Sequence, residues 1–281
     1  MGRGHALFFA SEGARVVVND LGGNPDGSGA DVSAAQAVVD EIQALGGVAV
    51  ANHESVSDWQ GAERVVSQAI EVFGDLHAVV NNAGILRDRT IVNMTEAEWD
   101  SVIDVHLKGT FCMTHFAAAY WRDQAKSGIE IDRSVVNTSS TSGLFGSAGQ
   151  GNYGAAKSGI ASFSQIASDE LSRYHVRVNC IAPTARTRLT ESIAMMAAPE
   201  EGFDAMDPEN VSPFIAYLSS ESCRINGKVF HVVDSRVNLF KPWEIVASIT
   251  TGGRWTMEEL GKQADRFADV DFGDLGRSQL L

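Results

Sequence analysis

The chain has 281 residues, of which 44% are hydrophobic and 21% charged, and a formal net charge of −14. That length and composition suit one large α/β domain or two small ones, and the acidic balance argues against nucleic acid and against an anionic membrane as partners. No apolar run approaches the roughly 18 residues of a membrane span, and no signal segment is visible. Cys112, Cys180 and Cys223 lack metal-ligand spacing, so they read as reduced, buried residues of a cytoplasmic protein, and no metal is expected.

Residues 3–12, with Ala6, Leu7, Phe9 and Ala10, read as a helix ended by Gly13, and 15–19 as a β-branched strand ending at Asp20. A glycine-rich loop leads to a helix over 33–45, a strand over 48–51 and an amphipathic helix over 58–73. A strand over 76–80 runs into Asn81-Asn82-Ala83-Gly84. Thr95 with Glu98 has capping-box spacing, and a long helix is predicted over 98–120, then loop over 123–133 and a strand over 134–138. A Ser/Gly-rich loop passes into a helix from Tyr153. A strand over 176–181, a helical flap over 189–207, a helix over 208–220 and a final strand over 228–233 follow. Alternating strands and helices of this kind predict parallel βαβ units, and the first helix should itself follow a strand.

The chemistry concentrates between Asn137 and Lys157. Tyr153 and Lys157 are four apart and share one helix face, and Ser140 lies thirteen residues before Tyr153. An ammonium near a phenol favours the phenolate, lowering a pKa that is ordinarily about 10. Such a phenolate can take the proton of an alcohol while a serine hydroxyl holds the alcohol oxygen. A bare Tyr-x-x-x-Lys would equally suit a polar loop capping a surface helix. The serine spacing, the glycine loop and the small Ala155 and Ala156 set this stretch apart.

Together these residues resemble the active-site signature of the short-chain dehydrogenase/reductase family, over residues 3 to about 240. The resemblance implies a Rossmann-like, doubly wound parallel sheet in three layers (α/β/α) with strand order 3-2-1-4-5-6-7, and NAD as cofactor. Ser140, Tyr153 and Lys157 become catalytic candidates. His106 joins them, standing where most relatives have an asparagine that holds a proton-relay water; a structural histidine is the rival reading. Cofactor contacts fall on Gly2, Asp20, Ser55, Val56, Asn82, Ala83, Gly84, Tyr153, Lys157, Pro183 and Thr187. Asp20 would accept from the adenosine ribose hydroxyls and repel a 2′-phosphate, favouring NAD over NADP. Thr187 is the candidate for the carboxamide contact, because Thr184 replaces the usual glycine and the spacing is one residue shorter.

By the same resemblance Gly2 matches the last glycine of the phosphate-binding turn, and the strand and earlier glycines that should precede it are not in the sequence. This is read either as a translation start placed too late or a shortened sequence, or as a protein without its first strand. Residues 1–281 are taken as a single domain lacking that strand, with an extension over 241–281 that covers a neighbouring subunit. Val-Val-Val-Asn-Asp-Leu-Gly-Gly, Val-His-Leu-Lys-Gly and Ile-Ala-Pro-Thr-Ala-Arg-Thr-Arg resemble the (3R)-hydroxyacyl-CoA dehydrogenase branch of the family. That implies an acyl-CoA substrate and a homo-oligomer, dimer or tetramer. A hydroxysteroid dehydrogenase, or a catalytically silent subunit if Met1 is the true start, are the alternatives.

Overall fold

Runs of valine, isoleucine and alanine make the strands, and the three central strands of the larger sheet are buried on both faces because helices cover both sides. The computed structural model describes residues 1–29, 31, 33–187, 199, 201–241, 243–271 and 273. It divides into two units, Met1–Leu239 and Phe240–Leu281. In the first, β1 (Arg15–Asn19) pairs in parallel with β2 (Val48–Asn52). A separate sheet has the order β3 (Ala78–Asn81), β4 (Arg133–Thr138), β5 (Val176–Thr184), β6 (Val229–Val233), β7 (Arg236–Leu239). Pairing is parallel from β3 to β6. The sheet therefore divides between β1 and β3, where the family order places its first strand.

Helices flank both faces, giving the Rossmann-like α/β architecture. On one side lie α1 (Gly2–Ser11), α2 (Ser33–Ala44) and α8 (Ser212–Ser219). On the other lie α3 (Trp59–Phe73), α5 (Gly109–Lys126) and α7 (Gly151–Leu171). Successive strand residues point to opposite faces. Val135 joins a core with Val66, Cys112, Ala117 and Trp121, whereas Val136 joins one with Ile181, Ile215 and Leu218. Helix α1 ties the two sheets together from one side. Arg3 pairs with Glu41 of α2 and with Glu209, and His5 Nδ1 lies 2.8 Å from Ser212 Oγ of α8.

Several expectations from the sequence need correction. The helix predicted over 98–120 is three segments: α4 (Glu96–Ile103), a π-helical turn (Asp104–Lys108) and α5. Helix α5 runs on to Lys126, so the first residues of the predicted loop over 123–133 are its last turn. Part of the Ser/Gly loop is a short helix, α6 (Thr141–Phe145), capped where Ser140 Oγ accepts from Ser142 N at 3.2 Å. The strand predicted to end at Ile181 continues to Thr184. Pairing with β4 has stopped by then, at Thr138↔Ile181, so the missing N–H of Pro183 removes no bond from that ladder. Val233 does not end the sheet, because Asp234, at φ 57°, turns the chain into the antiparallel β7. The predicted helix over 208–220 starts as a 3-10 turn, Pro208–Val211.

Of the predicted flap, 189–198 and 200 lie outside the described residues, while Arg186 and Asp204 at its base form an ion pair. In the second unit, α9 (Met257–Gln263) is capped by a Thr256–Glu259 box, and Trp243 and Met257 are exposed. Cys112, Cys180 and Cys223 are free and buried.

Candidate active site

Strand β4 delivers Thr138 to its C-terminal end, and the chain then turns through Ser139 and Ser140 into α6. Helix α7 lies alongside and carries Tyr153 and Lys157 on one face. Ser139 Oγ donates to the Lys157 carbonyl at 2.7 Å, and Lys157 Nζ donates to the Thr138 carbonyl at 2.6 Å. The loop and the helix are thus tied to each other twice. The Ser140 hydroxyl lies near enough to the Tyr153 phenol to favour its ionised form. The Lys157 ammonium sits 5.5 Å from the Tyr153 ring centroid. Lys157 is buried, and burial pulls its pKa down from 10.5 to about 8.

The sequence expectation that Lys157 depresses the phenol is not met. Burial, with a smaller contribution from Asp88, holds the Tyr153 phenol above its ordinary value, and the nearby Ser140 hydroxyl opposes this only in part. The physical reason is that the Lys157 ammonium is directed to a backbone carbonyl and is itself desolvated.

His106 comes from the π-helical turn. Its ring meets Tyr153 edge-on, with centroids 5.2 Å apart at 87°. Its Nε2 lies 2.8 Å from the Ile85 carbonyl and 3.1 Å from the Ile85 N–H. The shorter contact favours Nε2 as the donor to that carbonyl, leaving a lone pair on Nδ1, a buried atom with no partner among the described residues. Burial, then the Lys157 charge, lowers the His106 pKa to about 3, so the ring is neutral. Gly84 lies against the ring, where an added Cβ would stand 2.3 Å from His106 Cε1.

The residues expected to touch a cofactor fall into groups. The start of α1 abuts the turn after β3, and a Cβ on Gly2 would lie 3.1 Å from Asn82 Nδ2. Asn82 Oδ1 and Thr138 Oγ1 are buried without a hydrogen-bond partner among the described residues. Ala83 is exposed beside them. Asp20 is exposed at the end of β1, and its Oδ1 accepts from Gly22 N at 2.7 Å. Ser55 Oγ lies 3.0 Å from Ser57 Oγ, while Val56 packs against the core that holds α3 and α5. Pro183 sits within β5, and Thr187 closes the described stretch after it.

A close approach at Gly2 together with orphaned acceptors at Asn82 and Thr138 is an arrangement that fits a dinucleotide. Gly2, Asn82 and Thr138 would line the phosphate and ribose positions, and Asp20 the adenosine end. Three residues near the tyrosine were not singled out by the sequence. They are Thr138, which receives Lys157; Asp88, which acts on the phenol; and Asn152, immediately before Tyr153. Only Asn152 left a signal, as a cap-forming residue at a helix start.

The family model for short chain dehydrogenases matches residues 1–197. A hydroxyacyl-CoA dehydrogenase of Mycobacterium tuberculosis, ChsB1, is 41% identical over 96% of this chain and 86% of its own length. The peroxisomal multifunctional enzyme type 2 of Drosophila melanogaster is 46% identical over 81% of this chain but only 36% of its own. The chain thus spans about a third of that multifunctional relative. A crystal structure of a short chain dehydrogenase from Mycobacterium avium superposes with a TM-score of 0.85 at 49% identity, covering 95% of this chain and 90% of that one. The chain belongs to the short-chain dehydrogenase family, a class of oxidoreductases acting on CH–OH groups. Its relatives include peroxisomal multifunctional enzymes and bacterial hydroxyacyl-CoA dehydrogenases.

Proposed function

We propose that the chain interconverts a secondary alcohol and a ketone with NAD, acting on the 3-hydroxyacyl group of an acyl-CoA. The observation that carries this reading is the convergence of Ser140, the Tyr153 phenol and a buried Lys157 ammonium 5.5 Å from the Tyr153 ring. The names of the relatives support the acyl-CoA class. The exposed carboxylate of Asp20 supports NAD, since a 2′-phosphate would meet its charge. Free, buried cysteines accord with a cytoplasmic setting, and among the described residues no helix is long and apolar enough to cross a membrane. A homo-oligomer belongs to the same proposal.

In this mechanism Ser140 donates to the substrate oxygen and fixes it beside Tyr153. As phenolate, Tyr153 takes the alcohol proton in oxidation, and as phenol it gives that proton back in reduction. Lys157, with a pKa near 8, stays protonated at neutral pH and supplies positive charge close to the ring. His106 braces the ring edge and holds the turn at Ile85. The nicotinamide, when bound, accepts or gives the hydride. Tyr153→Phe keeps the ring packing and removes the acid–base group. With a 3-hydroxyacyl-CoA and NAD, its kcat is expected to fall at least about a hundredfold, while calorimetry shows NAD affinity within a few-fold of the parent. Retained turnover would overturn the assignment.

A further inference from the structure

Asn152 has every hydrogen-bonding group of its side chain engaged, and it is fully buried. Its Nδ2 donates to the Arg87 carbonyl at 3.0 Å and to the Glu98 carbonyl at 2.9 Å. Its Oδ1 accepts from Tyr153 N at 2.7 Å. An amide offers two N–H donors, and here each meets a carbonyl of a different segment: the loop after β3, and α4. The acceptor satisfies one of the first-turn N–H groups that a helix cannot satisfy internally, and that N–H belongs to Tyr153 itself.

The groups that meet the Tyr153 ring come from elsewhere in the chain. Ser140 follows β4, and His106 belongs to the π-helical turn. Their alignment with the phenol depends on where the start of α7 sits relative to the loop after β3 and to α4. The same junction is reinforced nearby. Arg89 N donates to the Gly149 carbonyl at 2.8 Å, and Gln150 Nε2 to Asp88 Oδ2 at 2.8 Å. Those bonds end on the loop that leads into α7. Asn152 alone, among the described bonds at this junction, reaches both neighbouring segments and the backbone of the tyrosine.

We infer that Asn152 is a positioning residue for proton transfer, a three-way clamp that sets the hydroxyl of Tyr153 against Ser140 and His106. The inference rests on the reading of Tyr153 as the acid–base group. Reacting groups displaced by about 1 Å can lose roughly a hundredfold in rate, so releasing the clamp acts on kcat more than on binding.

Two substitutions test it. Asn152→Ala removes all three bonds. Asn152→Asp keeps the acceptor for Tyr153 N and loses both donations, and it carries the test should the alanine variant fail to fold. With 3-hydroxyacyl-CoA and NAD, kcat is expected to fall about ten- to a hundredfold in both, with KM for either ligand changed less than about threefold. A merely structural role predicts a lower melting temperature with kcat per folded molecule unchanged, and that result would overturn the proposal. A second readout needs no turnover. Amide hydrogen exchange in 85–90 and 96–103 should quicken in the variants, because the carbonyls of Arg87 and Glu98 lose their tie; unchanged exchange overturns the clamp. If the unsubstituted protein shows no turnover, the functional reading has failed, and the exchange arm still decides whether the clamp exists.

Discussion

Lys157 offers a test in which stability and function move in opposite directions. Its pKa falls from 10.5 in an exposed chain to about 8 in the folded one, because burial disfavours the charged form. That difference corresponds to about 3 kcal/mol. Below pH 8 both folded and unfolded chains carry the proton, and folding bears the whole cost. Between 8 and 10.5 the unfolded chain holds a proton that the folded chain has shed, so raising the pH pulls toward the folded state. Stability should therefore rise across that window by about 3 kcal/mol from this group alone.

Lys157→Met removes the charge and roughly preserves volume. It also takes a donor from the Thr138 carbonyl, which costs about 1–3 kcal/mol for a buried acceptor. The two effects nearly offset at neutral pH. The variant should be as stable as the parent, or more stable by up to about 2 kcal/mol, the difference of those estimates, while losing turnover. The assay is urea unfolding of both proteins from about pH 7 to about pH 10. Effects of alkali on other groups cancel in the difference, so the parent should gain stability relative to the variant as the pH rises above about 8. Parallel pH dependences in the two proteins would refute the reasoning.

Three further outcomes are expected. Asp20→Ala should narrow the NAD/NADP preference in kcat/KM, since it removes both an acceptor for the ribose and the charge that opposes a 2′-phosphate; an unchanged ratio would place ribose recognition elsewhere. Gly84→Ala should lower stability by about 1–3 kcal/mol through overpacking against His106, and His106→Asn in that background should recover part of the loss, measured as a non-additive double-mutant cycle. Arg133→Met should cost about 2–3 kcal/mol, somewhat below a fully buried pair because Asp75 is partly solvated, seen as a lower melting temperature with kcat per folded molecule unchanged.

Strands were legible in this sequence wherever both faces are covered. Residues such as Val135, Val136 and Val178 must be apolar on successive positions, and that leaves an unbroken β-branched run. Strand β7 was not, because Val237 and Leu239 are exposed on an edge and the turn at Asp234 and Ser235 lacks a glycine. The π-helical turn was invisible as well. Its apolar spacing differs from an α-helix by a single residue, so a continuous helix over 98–120 fitted the pattern equally well. Within the site, Tyr153, Lys157 and Ser140 are brought together as their spacing suggested. The sign of the tyrosine's pKa shift was not legible, since spacing cannot report how far burial removes a phenol from water. Asn152 was missed because its partners are backbone carbonyls, which carry no residue identity.

The π-helical turn at Asp104–Lys108 also bears on how this chain tolerates a change of length. A helix advances about 100° per residue, so losing one residue inside α5 would swing Cys112, Met113, Ala117 and Trp121 off the core they fill. The wide turn holds one residue more than an α-helical path needs. A deletion there could relax into ordinary helix and leave the downstream side chains in phase. What it would forfeit is the reach of His106 to Ile85 and to the edge of Tyr153. The surplus residue thus uncouples the shape of the site from the phase of the core, letting one drift while the other stays fixed.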